Sequence, residues 1–390
     1  MIRNILFNKD IILKLRLLFF SFSVFCYYAQ FPLRELSSFI VPMLMIYLFL
    51  SISDILKKIN KNTLLLLSIY YVFIAHLLII SALSFMEINR VIRFFLILAI
   101  LPVFFLDIHR QKNNYFYNAF ILFSCLKSIS LIVIYIIFLK MGSFIALREF
   151  ARSIEGGSIY SLGGLGGMHL YIQVHGNALL LVAFMLRFLR TKKIDLVNVL
   201  LLSGIILAGN FAFYLGLLLF FVYCLYMKII SSKKEWYITI LFVFLAFIIV
   251  TFLFLPYVQK QIYLKSLHSN VVRIEQAMVL LNGNIFTGNG IGNKINAVTS
   301  TRIYDGNMYF ELQSLYIINQ IGFVGYFLFM FVTLYIFYEK NKNKIIIYLI
   351  YLFYSFWNPY CFDTTHMIAV LLLINERPLS GRQNKRENLT

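Results

Sequence analysis

The chain has 390 residues, 61% of them hydrophobic and 13% charged, with a formal charge of +19 and a mean hydropathy of +0.83. A soluble domain is about half apolar and about a quarter charged, so this composition excludes a single soluble core and implies many membrane spans. The charge does not signal nucleic acid, because Lys and Arg accumulate in the cytoplasmic loops of polytopic proteins.

A helical span needs roughly 20 apolar residues. Apolar runs, read against turn and charge signals, predict an all-α polytopic protein of about twelve spans. The first, over 11–30, follows Arg3, Lys9, Lys14 and Arg16. No small-residue cleavage site accompanies it, so it reads as a span and not as a signal peptide. Spans follow over 36–56, 63–84, 91–108 and 115–139. Lys127 lies near the centre of the fifth, too deep to reach the interface easily. A mid-span charge is a functional candidate, set against a lysine with a purely structural partner.

A first polar loop, 140–169, carries Lys140, Arg148, Glu149, Arg152 and Glu155, then glycines at 156, 157, 163, 164, 166 and 167. Arg148 and Arg152 are four apart, so a helical turn puts them on one face. Paired guanidiniums suit phosphate oxygens, and glycines let backbone N–H groups approach an anion. The competing reading is a flexible loop with solvated charges. No GK[ST] follows the glycines, which excludes a nucleotide P-loop. His169 and His175 open the next span, 170–190, as interfacial histidines or acid–base candidates.

Spans over 195–209, 211–230 and 236–255 lead to a long polar loop, 256–310. Within it Arg273 opens an amphipathic stretch, and the turn Gly288-Asn289-Gly290-Ile291-Gly292 follows. Arg302 and Asp305 come next, then Glu311 at the head of the span 311–338. The last two spans, 344–357 and 360–375, are divided by Trp357-Asn358-Pro359. Asp363 and His366 stand i, i+3 in the second, as a proton-handling pair or as a capped helix start. The tail 376–390 is polar and reads as disordered and cytoplasmic. The whole chain, 1–390, reads as one integral membrane domain.

Alternate connections and the two ends hold 23 of the 35 Lys and Arg residues. That side reads as cytoplasmic, with both termini, which places both long loops outside. The four cysteines, Cys26, Cys125, Cys224 and Cys361, are far apart, and no spacing suggests a metal site or a disulfide framework. No carboxylate lies mid-span, which weighs against an ion-coupled carrier.

Two segments carry a family resemblance: RIEQAMVLLNGNIFTGNGIGN from Arg273, and ELQSLYIINQIGFVG from Glu311. They resemble the Arg–helix–PxxGxG segment and the following span of the Wzy O-antigen polymerases, in the superfamily shared with O-antigen ligases. The architecture is similar over the whole chain. The proline usual before the glycines is replaced by Asn284-Ile285-Phe286-Thr287. The Arg-x10-Gly pattern of some members fits Arg152 to Gly163, but not Arg273, because residue 284 is Asn.

The resemblance implies a GT-C-like glycosyltransferase of the cell inner membrane that needs no metal, nucleotide sugar or other cofactor. Its substrates would be undecaprenyl-pyrophosphate-linked oligosaccharide repeat units, joined at the periplasmic face for lipopolysaccharide biosynthesis. A chain-length regulator protein is an implied partner. Arg273 and Glu311 are then the catalytic candidates. Arg148, Arg152, Gly288, Gly290, Gly292 and Lys127 would bind pyrophosphate or glycan, and His169, His175, Asp363 and His366 are acid–base candidates. The nearest alternative is an O-antigen ligase, but the large loop has no histidine after its glycine turn. A polysaccharide flippase would predict short outer loops and mid-span ionisable groups, and a non-enzymatic scaffold would leave the arginines replaceable.

Overall fold

The computed structural model describes residues 9–107, 115–161, 170–231, 263, 269–299, 303–305 and 310–375. The predicted span 236–255, His169, Arg302 and the tail 376–390 lie outside these residues. Helices α1 (Lys9–Ala29), α2 (Ser37–Lys58), α3 (Lys61–Leu83), α4 (Ile88–Phe104) and α5 (Tyr115–Met141) come first. Each lies within a few residues of its predicted span.

Helix α3 shows why these segments are membrane helices. Thr63, Leu67, Tyr70, Ile74, Leu77 and Ser81 are buried and recur at helical spacing. The opposite face exposes Leu64, Leu65, Ile69, Val72 and Ile79. A helix apolar on both faces suits a bundle whose solvent is hydrocarbon. Its N-terminus is capped by Asn60, whose side chain accepts from the Thr63 amide at 2.7 Å. Among the described residues, five helices are long and apolar enough to cross a membrane: Asp10–Ala29, Arg34–Lys57, Lys61–Leu83, Tyr115–Met141 and Gln313–Asn341. The protein is therefore a multi-pass membrane protein.

The first polar loop is more ordered than expected. Helix α6 (Ile145–Ser153) is followed by strand β1 (Gly157–Ser161), which pairs antiparallel with β2 (Leu170–Val174) in the register Tyr160↔Tyr171. Residues 170–174 were expected to be helical. They form a strand because LYIQV is a short apolar run that edges β1, and Ile159, Leu170 and Ile172 turn into the core. A second hairpin, β3 (Asn296–Val298) with β4 (Ile303–Asp305), lies in the large loop. The all-α expectation is amended by these two hairpins.

After β2 several helices are short. Helix α7 (Leu180–Thr191) has 12 residues, α8 (Leu196–Ala208) has 13, and α9 runs from Phe211 to Ser231. In the large loop lies α10 (Ser269–Leu280). Beyond it come α11 (Gln313–Asn341), α12 (Ile345–Phe356) and α13 (Thr364–Asn375). Twelve residues make about 18 Å of helix, against about 30 Å of bilayer hydrocarbon. Their connections bring polar groups inside the bundle. Asn210 donates to Asn358 Oδ1 at 2.9 Å, joining the α8–α9 tip to the α12–α13 tip. Tyr354 Oη donates to the Ala178 carbonyl at 2.8 Å, joining both to the β2–α7 connection.

The bundle has two distinct polar ends. At one, Arg16 pairs with Asp54 at 2.9 Å, Asn60 donates to Glu339, and Asn375 donates to the Asp107 carbonyl at 3.0 Å. At the other, Arg34 pairs with Glu155, and both long loops assemble. These pairs set the predicted basic connections against the predicted loop side.

Candidate functional site between the two loops

Helix α10 presents Val272, Gln276 and Leu280 as its buried edge, one turn apart. Arg273 follows Val272 at the rim of that edge. Glu311 lies two residues before the first turn of α11. The Arg273 Nε and Glu311 Oε2 atoms are 3.4 Å apart, and both side chains are about three-quarters buried, at 29% and 26% exposed. Two residues singled out separately in the sequence are therefore an ion pair.

The glycine turn docks against a break in α11. At Gly322 the backbone leaves the helix (φ 71°, ψ 169°). In a continuous helix the Phe323 and Val324 amides would donate to the Asn319 and Gln320 carbonyls. Here they donate to the Ile285 and Phe286 carbonyls, at 2.9 and 3.1 Å. The vacated Asn319 and Gln320 carbonyls accept instead from the Asn289 and Gly290 amides, at 2.9 and 3.1 Å. The Gly292 amide donates to Gln320 Oε1 at 2.7 Å, and the Gly288 amide to the Asn284 carbonyl at 2.9 Å. The amides of Gly288, Gly290 and Gly292 are thus used inside the protein. Their observed role is docking, which fixes α10 and α11, and with them Arg273 and Glu311; these three amides are not left free for the pyrophosphate or glycan that the resemblance implied they would bind.

Tyr160 on β1 brings the first loop to this pair. Burial pushes its phenol up to about 12; Arg273 pulls against that shift and Glu311 adds to it. Tyr160 stacks on Tyr171 at 5.3 Å between ring centroids. Tyr171 covers Gly209, where a Cβ would meet its ring at 2.1 Å. Gln173 donates to the Gly209 carbonyl at 3.4 Å, and Tyr360 lies within electrostatic reach of Tyr160. Tyr160 and Gln173, on the paired strands β1 and β2, and Asn210, Tyr360 and Asp363, at the tips of the short helices, are all half-buried.

The other expected residues fall elsewhere. Arg148 and Arg152 share α6. Arg152 pairs with Glu149 at 3.4 Å on the surface, and Arg148 Nε is enclosed without a hydrogen-bond partner. Among the described residues, no contact joins either arginine to Arg273 or Glu311. Lys127 is buried, and its Nζ donates to the His175 carbonyl at 2.7 Å and the Tyr28 carbonyl at 3.2 Å. That pins the end of β2 to α1 and gives the mid-span charge a structural partner. The His175 ring contacts the Glu155 carbonyl at 3.1 Å. Loss of solvation holds it below its ordinary pKa, with Arg34 and Lys127 pushing the same way, so it is neutral near pH 7.

Of the two readings of Asp363 and His366, the structure shows the capped helix start and not a proton-handling pair. Asp363 is the N-cap of α13: its carboxylate accepts from the His366 amide at 3.0 Å and the Thr365 hydroxyl at 2.7 Å. The His366 ring turns away, with Nε2 3.0 Å from Tyr348 Oη and Nδ1 accepting from the Phe362 amide at 3.3 Å. It is fully buried among aromatic rings.

Tyr160, Asn210 and Tyr360 were not singled out from the sequence. Their only signal was the pair of brief polar interruptions at Gly209-Asn210 and Trp357-Asn358-Pro359. Comparison with protein-family models, curated proteins and solved structures returns no match for this chain.

Proposed function

We propose that the protein is a glycosyltransferase that joins lipid-pyrophosphate-linked oligosaccharide units, in the manner of the O-antigen polymerases it resembles. The observation that carries this reading is the largely buried Arg273–Glu311 pair, with Tyr160 of the first loop beside it, in a membrane protein. Breaking the bond to a lipid pyrophosphate builds negative charge on the leaving oxygen. A fixed guanidinium there stabilises the transition state more than the ground state. Glu311, 3.4 Å away, orients that guanidinium. Arg148, with an unoccupied donor on the same loop assembly, is a second cation for the pyrophosphate. In this reading the fold is GT-C-like with about twelve spans, both termini are cytoplasmic, and both long loops, with the Arg273–Glu311 pair, lie at the periplasmic face of the inner membrane. A chain-length regulator is its partner.

The test is deletion of the gene in its host and complementation with Arg273→Ala. Loss of polymer at normal protein level supports the reading, and normal polymer refutes it. Banding separates the two transfer reactions. Without a polymerase a single repeat unit remains on the core, whereas without a ligase none does.

A further inference from the structure

Helix α10 carries a second apolar face. Opposite its buried edge, Val271, Ile274 and Met278 recur at helical spacing and are exposed. Leu281 and Phe286 extend this stripe past the end of the helix. Met278 is 71% exposed and Phe286 68%. Arg273 and Glu275 flank the stripe on either side. An exposed apolar stripe on a loop helix marks a surface with an occupant.

The stripe is continuous with a membrane-facing surface. The Phe286 carbonyl accepts from the Val324 amide at 3.1 Å. Val324, Phe327 and Phe331 are the exposed apolar row of α11, a helix long and apolar enough to cross the bilayer. Depth follows from the far end of α11, where Glu339 accepts from Asn60, beside Lys57 and Lys61. From Glu339 to Val324 is about 22 Å of helix, inside the roughly 30 Å of bilayer hydrocarbon. From Glu339 to Asn319 is about 30 Å, which is the hydrocarbon edge. Arg273 meets Glu311 at 3.4 Å, and the Leu280 carbonyl accepts from Asn319 Nδ2 at 2.9 Å. Helix α10 therefore descends along the first turns of α11 to that edge. The α3–α4 connection ends at the same level: a Cβ on Gly290 would meet Met86 at 2.9 Å, and Leu83, Phe85 and Ile88 around Met86 are exposed. The turn also satisfies its own polar groups, as hydrocarbon requires. Asn284 donates to Thr287 Oγ1 at 2.7 Å, and Asn282 Oδ1 accepts from the Gly283 amide at 2.9 Å.

We propose that acyl chains of the bilayer cover this stripe, and that α10 with its turn is a re-entrant element dipping into the leaflet on the loop side. The Arg273–Glu311 pair then stands on the water side of the hydrocarbon edge. In the transferase reading, a lipid chain stays in the bilayer while its pyrophosphate meets Arg273; the surface itself does not rest on that reading.

The experiment replaces Trp236 and Trp357 by Phe and adds one tryptophan at a time, as Met278→Trp, Phe286→Trp, Val72→Trp or Glu149→Trp. Each protein is placed in nanodiscs of phosphatidylcholine brominated on its acyl chains. Val72, on the exposed face of α3, and Glu149, on the surface of α6, set the two limits. We expect Met278→Trp and Phe286→Trp both to lose fluorescence to bromine, as Val72→Trp does, and to resist aqueous iodide. Quenching by iodide and not by bromine at either position overturns the proposal, because water then covers the stripe. Resistance to both quenchers also overturns it, because protein, a second copy of this chain included, then covers the stripe.

Discussion

Gly288 and Gly322 face each other across a gap that admits no side chain. A Cβ on Gly288 would lie 2.7 Å from the Gly322 nitrogen, and a Cβ on Gly322 would lie 2.5 Å from the Gly288 nitrogen. Both also have positive φ, at 95° and 71°. Their closeness permits the exchange of hydrogen bonds between the glycine turn and α11.

Gly322→Ala should therefore combine a penalty of about 1–3 kcal/mol for a positive-φ, extended-ψ backbone that only glycine adopts readily with about 1–3 kcal/mol of overpacking. We expect a clear fall in melting temperature in detergent. Gly142→Ala is the control. It has φ 66° but open space around it, so only the smaller backbone penalty applies. Equal losses in the two variants would contradict the docking role.

Arg273→Ala should reduce transfer about 10²- to 10³-fold, the usual effect of removing a transition-state donor. Arg273→Lys keeps the charge but loses the planar fork, and an intermediate rate is expected. Glu311→Gln removes only the charge-assisted part of the contact, about 1–1.5 kcal/mol, or roughly tenfold. A Glu311→Gln loss as large as that of Arg273→Ala would make Glu311 more than a positioning residue. Polymer yield at matched protein level gives the order.

Lys127→Met should act on stability. It leaves the Tyr28 and His175 carbonyls without their ammonium partner, at about 1–3 kcal/mol for an unsatisfied buried group. We expect a lower melting temperature. A folded Lys127→Met protein with normal melting and lost polymer would return Lys127 to the functional site.

Orientation can be read by thiol labelling. In a cysteine-free background, cysteines at Ser153 and Leu281 should react with an impermeant reagent from the periplasm. Cysteines at Asp195 and Lys342 should react only after permeabilisation. The opposite pattern would invert the topology.

The long helices were legible because about 20 apolar residues have few alternatives. Arg273 and Glu311 were legible as separate polar residues, and the fold supplied their contact over 38 positions. The β1–β2 hairpin was not legible, because LYIQV suits a strand as well as the start of an apolar helix. Asp363 and His366 were read as sharing a helical face. That rule does not extend to an N-cap, whose backbone lies outside the helix. Tyr160, Asn210 and Tyr360 come together from three distant segments, and no local pattern marks such a meeting.

The short helices also bear on how the chain is made. A 12-residue apolar stretch is too short to insert as an independent span, so α12 and α13 must enter the bilayer as one hairpin. Its tip carries Asn358, and that amide oxygen meets Asn210 only once both hairpins are in place. The ribosome delivers Asn210 first, so its side chain waits through the synthesis of 148 residues for this contact. The last hairpin therefore completes this contact, and a chain truncated before residue 345 should be recognised as unfinished by membrane quality control.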